Sequence, residues 1–229
     1  MSRPSALITG ASRGIGRATA LRLARDHDII AVARNASDLD SLANEIHSAK
    51  GSCRTIPIDL SDHAATDKAL TGIDCDVLVN NAGVGPIKPL LDLTPEEWHR
   101  IIDVNLNALY HVTRAVLPGM MKRRRGQIII VGSIAGRSAF AGGTAYAASK
   151  HAVAGFAECL MLEVREHGVK VSTINPGSVA TDFSTRADPT WMLSPDDVAM
   201  SIAHIVATPP DVLIHSLEVR AANPPKKTH

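Results

Sequence analysis

Short apolar runs alternate along this chain with longer stretches whose apolar positions recur at helical spacing. Uninterrupted runs such as Ile128-Ile129-Ile130-Val131 suit strands buried on both faces of a parallel sheet. The predicted strands are Ser5–Thr9, Asp28–Ala33, Cys53–Ile58, Asp76–Val79, Gln127–Val131, Val169–Ile174 and Val212–Arg220. The predicted helices run from about Arg17 to Arg25, from Ser37 to Ala49, and from near Asp62. A long one runs from Pro95, with Thr94 as its N-cap, to about Met121. Two more follow, one through Tyr146 to about His167 and one from Pro195 to about Ala207. Strands and helices alternate without a linker or a short-period repeat. The pattern predicts one doubly wound α/β domain over residues 1–229, with a mostly parallel seven-stranded sheet and a crevice at the strands' C-terminal edge. Residues 182–193 read as an irregular segment on the substrate side, and the tail 221–229 as loose.

Composition narrows the class without naming the chemistry. Hydrophobic residues make up 45% of the 229 residues, charged residues 21%, and the formal net charge is +1. That balance describes a globular protein and gives no reason to expect a nucleic-acid or membrane partner. Aromatics are only 3%, so Ala, Val, Ile and Leu must build the core. Lys122-Arg123-Arg124-Arg125 reads as a solvated helix C-terminus. Cys53, Cys75 and Cys159 are far apart and read as small buried thiols; no metal-binding spacing occurs. The chain shows no signal-peptide stretch and no apolar span of membrane length, and a cytoplasmic location is expected.

Chemistry enters at Gly10-Ala11-Ser12-Arg13-Gly14-Ile15-Gly16, a glycine-rich turn between a strand and a helix. Such a turn presents backbone N–H groups at the positive end of a helix and suits a pyrophosphate. The second strand ends in Ala33-Arg34, where a NAD-preferring site would carry an acid for the ribose hydroxyls. Arg34, with Arg13 from the turn, suits a 2′-phosphate instead, so NADP is expected over NAD. Asp59, with Leu60, closes the third strand; it either accepts from the adenine amine or caps the helix near Asp62. Tyr146 and Lys150 are four residues apart and share one helix face, so a cation can stand beside a phenol. Asn105 falls in an apolar stretch and must find partners if buried.

Taken together, these motifs resemble the short-chain dehydrogenase/reductase family over nearly the whole chain. Thr9-Gly10-x-x-x-Gly14-x-Gly16 matches its cofactor turn and Asn80-Asn81-Ala82-Gly83 its central-strand motif. Asn105, Ser133, Tyr146 and Lys150 match its catalytic four in order and spacing. Pro176-Gly177, with Val179 and Thr181, matches its nicotinamide-side segment. The resemblance implies a Rossmann-type NADP-dependent oxidoreductase of carbonyl or secondary-alcohol substrates, with no metal. The cofactor would lie on Gly10, Ser12, Arg13, Gly14, Ile15, Gly16, Arg34, Asp59, Leu60, Asn81, Ala82, Gly83, Tyr146, Lys150, Pro176, Gly177, Val179 and Thr181. Tyr146 would be the general acid/base and Ser133 would hold the substrate oxygen. Lys150 would lower the Tyr146 pKa and bind the nicotinamide ribose, and Asn105 would hold a relay water. Ketones, 3-oxo acids or 3-oxoacyl thioesters are the expected substrates; the alternatives are 3-hydroxy acids or serine, or a non-catalytic NADP sensor. The short segment after Thr181 and the ending His215-Ser216-Leu217-Glu218-Val219-Arg220 look more like the 3-hydroxy-acid and serine dehydrogenase branch. A homodimer or homotetramer is expected. Gly85, Pro86, Ile87, Ala135, Arg137, Phe140, Gly177, Phe183, Arg186, Trp191 and Met192 are candidates to border the substrate pocket.

Overall fold

The computed structural model describes residues 3–181 and 190–224. Phe183, Arg186 and most of the 182–193 segment therefore lie outside the described residues. The strands are β1 (Ser5–Thr9), β2 (Asp28–Ala33), β3 (Cys53–Pro57), β4 (Val77–Asn80), β5 (Gly126–Val131), β6 (Val169–Pro176) and β7 (Ser216–Val219). They form one sheet in the order β3-β2-β1-β4-β5-β6-β7, and every pairing is parallel. The order turns back between β1 and β4, which opens the crevice where the glycine turn lies.

The helices are α1 (Gly14–Leu23), α2 (Ala36–Ser48), α3 (His63–Leu70), α4 (Pro95–Ile102), α5 (Ala108–Arg123), α6 (Thr144–Val164) and α7 (Pro195–Val206). Apolar side chains of α1, α2 and α7 cover one face of the sheet, and those of α3, α5 and α6 the other. Six residues of β5 are buried in succession, as an apolar run in the middle of a parallel sheet requires. Thr94 and Ser194 cap α4 and α7 through reciprocal capping boxes, each followed by proline at the helix start.

Several expectations change. The first helix begins at Gly14, not Arg17, so the last two glycines of the turn lie in the first helical turn. The long helix predicted from Pro95 to Met121 is two helices joined by a π-type turn, Asp103–Asn107, in which the Ala108 N–H reaches back five residues to the Asp103 carbonyl. The basic run at the end of α5 is solvated as expected at Lys122, Arg124 and Arg125, but its arginines also have protein partners. Arg123 pairs with Asp74, Arg125 donates to Asp76 at 2.9 Å, and Arg124 donates to the Glu166 carbonyl at 2.7 Å. Of the cysteines, Cys75 is buried, Cys53 half-buried and Cys159 exposed. The last strand begins at Ser216, not Val212. The Lys170 ammonium pins the residues before it by donating to the carbonyls of Thr208, Pro209 and Val212 (3.2, 3.1 and 3.2 Å) and to the Thr208 hydroxyl (2.9 Å). Gln127, buried at the foot of β5, donates to the Ile205 carbonyl in the last turn of α7 at 2.8 Å. Two side chains from the sheet's N-terminal edge thus hold the end of α7 and the loop after it: Gln127 adds a bond to a carbonyl that also accepts from Thr208, and Lys170 bonds the loop carbonyls.

Lys170→Met is expected to lower stability by about 1–2 kcal/mol after allowing for solvent screening at this half-buried site. A urea denaturation midpoint compared with that of the parent chain checks this, and steady-state turnover should stay near the parent value.

Candidate active site

The crevice depends on how closely the end of β1 approaches the end of β4. The Thr9 hydroxyl accepts from the backbone N–H groups of Asn81 and Ala82 (3.0 and 3.1 Å). The Asn81 side-chain amide donates to the carbonyls of Thr9 and Gly10 (2.9 and 3.2 Å). No larger residue fits at this junction. Gly10 has φ +64°, and a Cβ there would meet Ala82 Cα at 2.9 Å; a Cβ on Gly16 would lie 2.2 Å from the Gly10 carbonyl oxygen. The first turn of α1 holds no acidic side chain, so its positive end meets the crevice uncompensated. Ser12, Arg13, Gly14 and Ile15 line the resulting cleft, which encloses about 1570 Å³.

Ser133, at the end of β5, Tyr146 and Lys150, on α6, come together on the opposite wall. Tyr146 and Ser133 share a hydrogen bond. Ser133 Oγ also accepts from the Ala135 N–H at 3.1 Å, which fixes its rotamer. Lys150 is buried, donates to the Val131 carbonyl at 2.8 Å, and lies 5.8 Å from the centre of the Tyr146 ring. Burial pushes the Lys150 ammonium down to about 8. The phenol differs from expectation. Burial raises the Tyr146 pKa, the Ser133 hydrogen bond opposes that rise, and the lowering expected from Lys150 is not what sets it.

Asn105 lies in the π-type turn and is buried. Its Oδ1 accepts from the Val84 N–H (2.8 Å), and its Nδ2 donates to the Val84 carbonyl (2.9 Å) and Ser149 Oγ (3.0 Å). Ser149 in turn donates to the Tyr146 carbonyl at 2.7 Å. Asn105 is thus a three-way tie between the loop after β4, the π-type turn and α6. A Cβ on Gly83 would touch Asn105 Oδ1 (3.4 Å) and Lys150 Nζ (4.0 Å) at ordinary van der Waals distance, which places this residue against both side chains. Behind the site a cavity of about 10 Å³ is bounded by Thr9, Asn80, Asn105, Lys150 and apolar side chains.

The cleft brings together most of the expected residues. Gly10, Asn81, Ala82, Gly83, Pro176, Gly177, Val179 and Thr181 line it, as do Ile87, Ala135, Phe140 and Trp191. Gly85, Pro86, Arg137 and Met192 do not; Arg137 donates to Ser216 Oγ at 3.2 Å and Met192 is buried. Arg34, Asp59 and Leu60 also stand outside the lining, and Leu60 borders the small inner cavity. Asp62 caps α3, accepting from the Ala65 N–H at 3.0 Å, so Asp59 is not the cap. Instead Asp59 takes hydrogen bonds from Ser61 and Arg100. Partial burial alone would raise its pKa, but the bonds from Ser61 and Arg100 and the Arg100 charge outweigh burial and hold the carboxyl below its usual range.

Four residues at or beside the site went unread in the sequence. A serine within a helix, Ser149, carries no local signal. Arg100 is 41 residues from the carboxylate it meets. Ala221 and Pro224, part of the tail expected to be loose, line the cleft. Among the described residues no helix is long and apolar enough to cross a membrane, and no three ligating side chains cluster for a metal ion.

The comparisons with known proteins agree with this geometry. A family model described as short chain dehydrogenase matches residues 4–190. The chain is 39% identical over 207 residues to the 3-oxoacyl-(acyl-carrier-protein) reductase of Vibrio harveyi, covering 88% of this chain and 82% of that protein. It is 34% identical over 233 residues to the NADP-dependent 3-hydroxy acid dehydrogenase of Salmonella typhi, covering 93% of each. Among solved structures, the closed form of serine dehydrogenase complexed with NADP+ superposes with a TM-score of 0.88 at 32% identity, covering 98% of both chains. With a glycine turn, Ser133, Tyr146 and Lys150 meeting at one cleft, the chain belongs to the short-chain dehydrogenase family.

Proposed function

We propose that this chain is an NADP-dependent oxidoreductase that interconverts a carbonyl and a secondary alcohol. The observation that carries the reading is the meeting of the Ser133–Tyr146 pair and buried Lys150 across the cleft from the glycine turn. The residues fit a dinucleotide. The junction between Gly10, Gly16 and Ala82 admits no side chain, so the turn presents bare backbone to the open space of the cleft. The positive end of α1 faces that space, and the exposed Arg34 follows β2 where an acid would favour NAD. When bound, such a cofactor supplies or accepts the hydride.

The protein's own groups handle the oxygen and its proton. Ser133 Oγ and the Tyr146 phenol converge on one point and would hold the substrate oxygen between them. Because burial raises its pKa, Tyr146 stays protonated near neutrality and can give its proton as the oxygen gains charge. In oxidation it takes the proton back. Lys150, near 8, can itself hold or release a proton at working pH. The inner cavity of about 10 Å³ beside Lys150 suits one water. That water would carry protons past Lys150, with Asn105 shaping the cavity as a tie.

The carbonyl substrates favoured are ketones, 3-oxo acids and 3-oxoacyl thioesters. The oxidative reading, of a 3-hydroxy acid or serine, is supported by the similarity to the 3-hydroxy acid dehydrogenase, which runs over 93% of both chains. A second copy of the chain is the proposed partner, meeting the outer faces of α5 and α6. Tyr110 and Leu162 leave apolar side chains 47% and 55% exposed there.

Three measurements follow. Tyr146→Phe should reduce NADPH oxidation with a ketone, or NADP+ reduction with a 3-hydroxy acid, by at least about 100-fold. NADPH affinity by fluorescence should stay within a few fold; turnover surviving the change overturns the mechanism. Lys150→Met should abolish turnover and alter the pH dependence of unfolding. The folded ammonium loses its proton near pH 8 and the unfolded one near 10.5, so Lys150 adds stability as pH rises through that window. The parent's melting temperature should therefore gain on the variant's between pH 8 and 10.5, and the difference should be flat below 8. In sedimentation, Tyr110→Glu combined with Leu162→Glu should shift the chain to monomer.

A further inference from the structure

We infer that Arg100 is a positioning residue for cofactor choice: by pairing with Asp59 it keeps the Arg34 guanidinium available to a 2′-phosphate. This rests on the reading that Arg34 grips that phosphate. Two cations compete for one carboxylate beyond the ends of β2 and β3, outside the cleft lining. Arg100, on α4, donates through Nη2 to Asp59 Oδ2 at 3.1 Å and through Nη1 to Ser61 Oγ at 2.6 Å. Ser61 closes the ring by donating to Asp59 Oδ1 from its hydroxyl (2.8 Å) and its backbone N–H (3.0 Å). Both carboxylate oxygens are therefore engaged, and one guanidinium matches the one negative charge.

Arg34 Nη1 stands 3.8 Å from the same Oδ2, beyond hydrogen-bond reach, and its side chain is 65% exposed against 35% for Arg100. The better buried and better aligned arginine holds the acid; the more exposed one stands beside it. Without Arg100, Oδ2 would lose its charged donor. Arg34, long and exposed, needs to move only about 1 Å to take that place. It would then carry an internal anion that an incoming phosphate must displace. The sequence carries an acid just beyond the second strand's neighbour, and Arg100 is what stops that acid from acting as a competitor.

The effect should have the size of a half-exposed ion pair, about two- to fivefold in affinity. It should fall on NADPH and spare NADH, which has no 2′-phosphate. The experiment is a fluorescence titration of the purified chain with NADPH and with NADH, read as the ratio of the two dissociation constants. Melting curves confirm that each variant is folded. Arg34→Ala should weaken NADPH selectively; an unchanged ratio overturns the phosphate reading and this inference with it. Arg100→Ala should lower NADPH preference about two- to fivefold, and Arg100→Lys should keep it near the parent value. Adding Asp59→Asn to Arg100→Ala should restore the preference, and any adenine contact of Asp59 cancels in the ratio. In an Arg34→Ala background, Arg100→Ala should have no further effect. If Arg34→Ala shifts the ratio while Arg100→Ala does not, or if the two arginine effects simply add, Arg100 does not act through Arg34 and the inference fails.

Discussion

The short contact between the end of β1 and the end of β4 is the constraint on which the rest of the site depends. A doubly wound sheet opens a crevice wherever its strand order reverses, but the width of that crevice is set by side chains. Here one hydroxyl and one amide set it. Thr9 gathers two backbone N–H groups of the Asn81–Ala82 turn, and Asn81 reaches back to the carbonyls of Thr9 and Gly10. Four hydrogen bonds at one junction leave no room for a Cβ on Gly10 or Gly16. The glycines are therefore needed first for the closeness of two loops. That same closeness bares the amino end of α1 to the cleft.

The second wall follows a different logic. Lys150 is a buried cation with a protein carbonyl as acceptor, in a place where an apolar residue would cost the fold less. Around it, Asn105, Ser149 and Val84 form hydrogen bonds that fix α6 against the loop after β4. Burying this cation works against stability, and the neighbouring amide network holds the helix that carries the phenol.

Much of the fold was legible because its signals are local. A buried parallel strand is an apolar run, and Thr94-Pro95 and Ser194-Pro195 mark helix starts by their own chemistry. The pairing of Tyr146 with Lys150 was legible too, since the two are neighbours on one helix. What stayed hidden was non-local. The true start of the last strand is set by Lys170, 46 residues before Ser216. The state of Tyr146 follows from burial and from Ser133, which only the folded chain brings together. The Arg100–Asp59–Ser61 ring joins two segments that no periodicity connects.

The π-type turn between α4 and α5 also bears on how this chain tolerates change in length. Five residues, Asp103–Asn107, occupy a turn that a regular helix would close with one fewer. Deleting a single residue there would let α4 run unbroken into α5 and leave the faces of the two helices close to their present directions, because the wide turn already absorbs the extra residue. The buried Ile101 face of α4 and the face of α5 packed on the sheet would keep their directions, and the loss would fall on the turn that carries Asn105 and its hydrogen bonds. The surplus residue is thus taken up locally, and what it gives the chain is the placement of one buried amide, not the course of the helices on either side.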